Sequence, residues 1–184
     1  NVDTIDQIEH PSVRESARYL DFDKPFEVVH NADLPARSGL GSSSTFTVGM
    51  LHTLHTLNNH MPTKRELALQ AIHVEQNMIG EAVGSQDQTA AAFGGLNNIT
   101  FSSNNEIDVT PIVISKERLQ LLQNNLLLCF TGFSRTASEI AKAQIKTTMQ
   151  NRNHINTMSQ LCQHAYNILT DNHQSIDSLG QLLH

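Results

Sequence analysis

Residues 38–44, Ser-Gly-Leu-Gly-Ser-Ser-Ser, pack two glycines and four serines between an apolar run (Phe26, Val28, Val29) and a long helical pattern. A loop of this composition that opens a helix turns unpaired backbone N–H groups and hydroxyls toward one point, which suits phosphate. It is not a Walker loop, because no Lys follows the glycines to reach the outer phosphates. If nucleotide binds here, amides at the Ser42 helix start must carry the phosphates, leaving a serine hydroxyl for a metal ion. That division of labour requires carboxylates elsewhere. The plain alternative is a cluster of helix caps on a loop.

Two acidic residues stand in suitable places. Glu75 falls among apolar neighbours on a helical pattern, and Asp87 falls between Gln86 and Gln88 in a small-residue segment. Alone, each has an ordinary explanation: a glutamate on an amphipathic helix faces solvent, and an aspartate in a turn caps. The ten histidines invite a metal reading. His52 and His55 are three apart and His60 and His73 follow, yet no Cys or acidic residue joins them at ligand spacing, so solvated or core-edge histidines are expected.

The elements that must position these groups follow from periodicity. A helix is expected from Pro11 or Ser12 through Val13, Ala17 and Leu20, then a strand over 24–33 with Phe26, Val28 and His30 on one face. After the loop, Phe46, Val48, Met50, Leu51, Leu54 and Leu57 predict a helix up to Asn58-Asn59. Pro62-Thr63 caps the next helix, which carries Leu67, Leu69, Ile72, Val74 and Met78 and stops at Gly80. Thr89–Phe93 reads as a short helix ended by Gly94-Gly95. Segments 97–101 and 107–113 read as a hairpin, 126–130 as a buried strand, and 137–149, 155–170 and 176–184 as helices.

At 184 residues with 39% apolar residues and no apolar run near the roughly 18 a span requires, a soluble chain is expected. Cys129 and Cys162 lie in apolar patterns and read as reduced, buried thiols, which with no visible leader suggests a cytoplasmic protein. A net charge of −6 without a large basic cluster argues against nucleic acid, and no membrane partner is expected.

The segment from Pro35 to Ser44 (Pro-Ala-Arg-Ser-Gly-Leu-Gly-Ser-Ser-Ser) resembles the central phosphate-binding motif of the GHMP kinases. The resemblance implies that Pro35, Ser38, Gly39, Leu40, Gly41, Ser42, Ser43 and Ser44 surround the phosphates of ATP. Ser43 and Glu75 would hold Mg2+, and Asp87 would be the catalytic residue, with Ser85 and Gln86 beside it toward the substrate. Three blocks, 28–48, 80–97 and 126–138, resemble the branch of the family that phosphorylates D-glycero-D-manno-heptose 7-phosphate on its anomeric hydroxyl, other sugars such as fucose or galactose being the alternative. A sugar that already bears phosphate needs a second cationic contact. Arg135 is the candidate, with Thr131 and Ser134 as hydroxyl donors.

The implied fold is α+β, a two-layer GHMP-kinase fold with a left-handed βαβ unit, followed by the start of a helix-rich C-terminal domain. Residues 1–115 would form the N-terminal ATP-binding domain and 116–184 the beginning of the second. The family's first motif and its late glycine-rich loop have no counterpart here, so a piece of a longer kinase is expected. A small-molecule sugar phosphate and ATP are the expected partners, with a homodimer left open. A non-catalytic nucleotide- or sugar-binding module is the rival of another class.

Overall fold

The computed structural model describes residues 1–33, 38–104, 106–129, 141 and 144–183. They divide into two compact units, the first built on Asn1–Gly94 and the second on Gly95–Phe130 and Ile145–His184.

The first unit is helical. Pro11 opens α1 (Pro11–Tyr19), where its missing N–H costs nothing. The glycine–serine loop feeds α2 (Ser42–Leu57), and Gly41, at φ 68°, occupies the position before the first turn. Helix α3 (Lys64–His73) begins with a reciprocal cap. The Thr63 hydroxyl accepts from the Glu66 N–H at 3.2 Å, while Glu66 Oε2 accepts from the Thr63 N–H at 2.7 Å. Without a break, α3 widens into one π-helical turn, Val74–Ile79, closed by Gly80 at φ 78°. Helix α4 (Gln86–Phe93) follows.

Helix α2 is the central element because its apolar residues face two ways. Met50 and Leu54 pack with Val13, Ala17 and Phe22 of the N-terminal segment. Val48 and Leu51 pack with Leu67, Ala71 and Val74, against which Ala91 and Ala92 of α4 also lie. Leu51 and Leu54 are fully buried, each contributing about 1.5–3 kcal/mol by leaving water. The loop at the head of α2 is thereby anchored to elements on both sides.

In the second unit, β1 (Asn97–Phe101) pairs antiparallel with β2 (Ile107–Pro111), Ile99 opposite Val109. Ser115 caps α5 (Lys116–Asn124), accepting from the Arg118 N–H at 3.1 Å. Helices α6 (Arg152–Thr170) and α7 (Asp177–Leu182) follow later in the chain. The guanidinium of Arg118, only 7% exposed, donates to the carbonyls of Ile168, Leu169 and Gln174. Carbonyls at the end of α6 that have no helical donor thus receive a cation.

Several expectations are corrected. Residues 24–33 form no strand. An extended segment becomes a strand only with a ladder partner, and this one is held by side chains instead: Lys24 donates to the Leu57 carbonyl at 2.8 Å, and the His30 ring meets Phe46 at 4.9 Å. The described part of 126–130 is likewise no strand, and Leu126, Leu127 and Leu128 are exposed. Cys129 and Cys162 are exposed as well, Cys129 because its apolar segment is not covered and Cys162 because residues 152–164 of α6 are all exposed. Helix α5 was not expected, and α4 starts three residues early, at Gln86. Among the described residues no helix is long and apolar enough to cross a membrane.

The cap of α3 makes stability depend on pH. Hydrogen bonds from the Thr63 backbone N–H and then its hydroxyl hold the Glu66 carboxyl below its ordinary value of 4.5. A depressed folded-state value means that this contribution is present above pH 4.5 and lost as pH falls through the folded value. Glu66→Gln should therefore lower the urea midpoint modestly at pH 7 and leave it unchanged at a pH where Glu66 is protonated. A deficit undiminished in acid would show that the cap does not act through charge.

Candidate active site

The site is built where α2 starts. Gly41 has no side chain to cap the helix, so the N–H groups of Ser42, Ser43 and Ser44 lack helical acceptors and the positive end of the dipole is open. Ser42 and Ser43 are exposed, whereas Ser44 turns inward and is buried. Ser38, at the other end of the loop, has a buried hydroxyl with no partner among the described residues. A cleft of about 620 Å3 opens from the loop along α2, lined by Phe26, Val28, Leu40, Phe46 and Met50 among others.

Asp87 comes to this loop from α4. A Cβ added to Gly41 would lie 3.0 Å from Asp87 Cγ and 3.2 Å from its Oδ2, so only glycine lets the carboxylate approach the loop backbone this closely. Asp87 itself is exposed, in the first turn of α4, directly after Ser85 and Gln86. The loop that delivers it is pinned by Gln76, whose side-chain N–H donates to the Val83 carbonyl at 2.9 Å and to Ser85 Oγ at 3.4 Å.

Glu75 lies beneath, 1% exposed. Its Oε2 accepts from Ser44 Oγ at 2.8 Å and from the side-chain amide of Gln88, and its Oε1 is buried without a partner among the described residues. No described Lys, Arg or His pairs with it. A carboxylate removed from water with an unmatched oxygen is the donor chemistry of a hard cation. Among the described residues no group of three or more His, Cys, Asp or Glu could form a metal cage. Mg2+ does not require one, since it is held by one or two carboxylates together with phosphate oxygens and water. The nearby Glu81 has its pKa raised above the ordinary 4.5, first by burial and then by the charge of Glu75.

The geometry thus brings together Ser38, Gly39, Leu40, Gly41, Ser42, Ser43, Ser44, Glu75, Ser85, Gln86 and Asp87 in one unit. The serine that reaches Glu75 is Ser44, while the Ser43 carbonyl accepts from Thr47 Oγ1 at 3.2 Å. Pro35, Thr131, Ser134 and Arg135 lie outside the described residues. Gln88 and Gln76 were missed. A signal for Gln88 existed, since it shares a helical face with Ala91 and Ala92, which are half-buried against the core.

Residues 11–95 match the GHMP kinases N terminal domain. This segment is similar to the N-terminal domain of the GHMP kinases. A D-glycero-alpha-D-manno-heptose 7-phosphate kinase of Campylobacter jejuni is 35% identical over 115 residues, covering 62% of this chain and 34% of that protein. A galactokinase of Pyrococcus furiosus is 31% identical over 114 residues, again 62% of this chain and 31% of the relative. A bifunctional fucokinase/GDP-fucose pyrophosphorylase of Arabidopsis thaliana is 28% identical over 127 residues, 66% of this chain and 12% of the relative. The chain spans about a third of the length of the first two. The matched segment contains every described element of the site.

The approach of Asp87 to the loop is testable without an activity. Gly39 and Gly41 both have positive φ (80° and 68°), but nothing lies within 4 Å of a Cβ at Gly39. Each Ala substitution should cost about 1–2 kcal/mol from the left-handed backbone, and Gly41→Ala about 1 kcal/mol more from the crowding. Combining Gly41→Ala with Asp87→Ala, which removes Cγ and Oδ2 and leaves the Cβ at 3.2 Å, should recover part of that extra cost in denaturant titrations. Strict additivity of the two would place Asp87 away from the loop.

Proposed function

We propose that the protein is an ATP-dependent sugar kinase that transfers the γ-phosphoryl group to the anomeric hydroxyl of D-glycero-D-manno-heptose 7-phosphate, giving the 1,7-bisphosphate. The observation that carries this reading is the Asp87 carboxylate set against Gly41, beside the open N-terminus of α2, with a second carboxylate buried beneath the same turn. Phosphoryl transfer needs positioning and charge neutralisation more than covalent chemistry, and these groups supply both.

In this reading the amides of Ser42, Ser43 and Ser44 receive the outer phosphates and the cleft along α2 receives the nucleoside. Glu75, with a serine of the loop, would hold Mg2+, the buried Oε1 and the hard-oxygen donor set being what fits it. When bound, Mg2+ neutralises charge developing on the phosphates. Asp87 accepts the proton of the attacking sugar hydroxyl, or orients it, from a position exposed to an incoming acceptor. An anomeric hydroxyl, more acidic than other sugar alcohols, needs only a modest base. Ser85 and Gln86 adjoin the acceptor, and Arg135 with Thr131 and Ser134 grips its 7-phosphate through paired hydrogen bonds.

Residues 1–115 would carry the nucleotide-binding part, and 116–184 would begin the second domain. A cytoplasmic kinase fits substrates of this kind. The similarity to the galactokinase favours a second reading, a free-sugar acceptor, for which Arg135 has no phosphate to grip.

Purified protein should convert heptose 7-phosphate in preference to galactose or fucose, with product identified by mass spectrometry, and chelation by EDTA should abolish turnover. Asp87→Asn should lower kcat by about 10²–10⁴ with little change in the KM for ATP. Full turnover by the Asn variant would remove the proton-accepting role, and preference for free galactose would select the second reading.

A further inference from the structure

Oε2 of Glu75 takes two donors, the Ser44 hydroxyl from α2 and the Gln88 side-chain amide from α4. Two donors on one oxygen fix the plane of the carboxylate, so the direction in which Oε1 presents its lone pairs is set by its neighbours rather than by its own rotamer freedom. Gln88 is itself fully buried, and its Oε1 has no partner among the described residues. Burying an amide with half its hydrogen-bonding capacity unmet is costly. Methionine would fill a similar space on the Ala91–Ala92 face without that cost.

Gln88 also directly follows Asp87 in the first turn of α4. The hydrogen bond that orients Glu75 therefore also holds the turn that sets Asp87 against Gly41. Three pieces of backbone meet at one carboxylate oxygen, Glu75 Oε2: the head of α2, the π-helical turn and the start of α4.

We infer that Gln88 is a positioning residue that sets the Glu75 carboxylate for its cation and couples it to the placement of Asp87. This rests on the kinase reading for its catalytic consequence. Its consequence for cation binding stands apart from turnover.

The test uses Gln88→Met, which keeps volume, and Gln88→Asn, which keeps the amide one methylene short of Glu75. Free Mn2+ is measured by electron paramagnetic resonance with a non-hydrolysable ATP analogue, alongside far-UV circular dichroism and steady-state kinetics. Both variants should retain the native dichroism, bind Mn2+ about 10- to 100-fold more weakly and lose kcat by a similar factor. The sugar KM should stay within about twofold, which a merely structural filler has no reason to produce.

Native Mn2+ affinity in either folded variant overturns the role of Gln88, whatever the turnover. If Met unfolds the protein, the Asn variant decides. Weakened Mn2+ binding in a protein that phosphorylates no sugar would end the kinase reading while upholding the positioning role. A wild-type protein that binds no Mn2+ would overturn both.

Discussion

The buried carboxylate of Glu75 is the constraint around which the first unit is arranged. Taking a carboxylate out of water costs several kcal/mol unless its lone pairs are met, and among the described residues only one oxygen is met, by Ser44 and Gln88. For stability alone an apolar side chain in this place would serve better. Each donor comes from a different helix, and each helix carries another part of the site: α2 the open amides and α4 the Asp87 carboxylate. The packing of α2 on both its faces keeps this tie rigid.

The backbone makes two concessions to the same arrangement. At Gly41 the chain turns left-handed and presents no Cβ, which lets Asp87 come within van der Waals distance of the loop. At Val74–Ile79 the helix widens to a π turn, a local irregularity that resets the phase of the residues after α3. Within that turn Glu75 points toward Ser44 and Gln88, while the next residue, Gln76, reaches the loop before α4. Consecutive residues thereby serve the buried Glu75 carboxyl and the segment that carries Asp87.

Much of this was legible in the sequence, because the loop and the helix periodicities are local signals. Pro11, Thr63 and Gly80 mark helix ends by their own chemistry, and the boundaries of α1, α3 and the π turn follow them closely. What escaped depends on partners far along the chain. Segment 24–33 alternates like a strand but has no ladder to join, and 126–129 is apolar yet uncovered. The choice between Ser43 and Ser44 at Glu75 depends on one residue of helical phase. Ser44 faces inward because Val48 and Leu51, four and seven positions on, are in the core. Helix α5 was announced by Ser115 before Lys116-Glu117-Arg118 but lacks the long apolar stripe that marks the others.

The central claim is that a cation on Glu75 and nucleotide phosphates on the amides of Ser42, Ser43 and Ser44 share one pocket with Asp87. A crystal structure with Mn2+ and a non-hydrolysable ATP analogue tests it most directly, through the anomalous signal of manganese. The account predicts a peak bonded to Glu75 Oε1 at about 2.1–2.2 Å, the terminal phosphates at the head of α2 and the Asp87 carboxylate facing them. Manganese bound away from Glu75, or phosphates away from the start of α2, would contradict it.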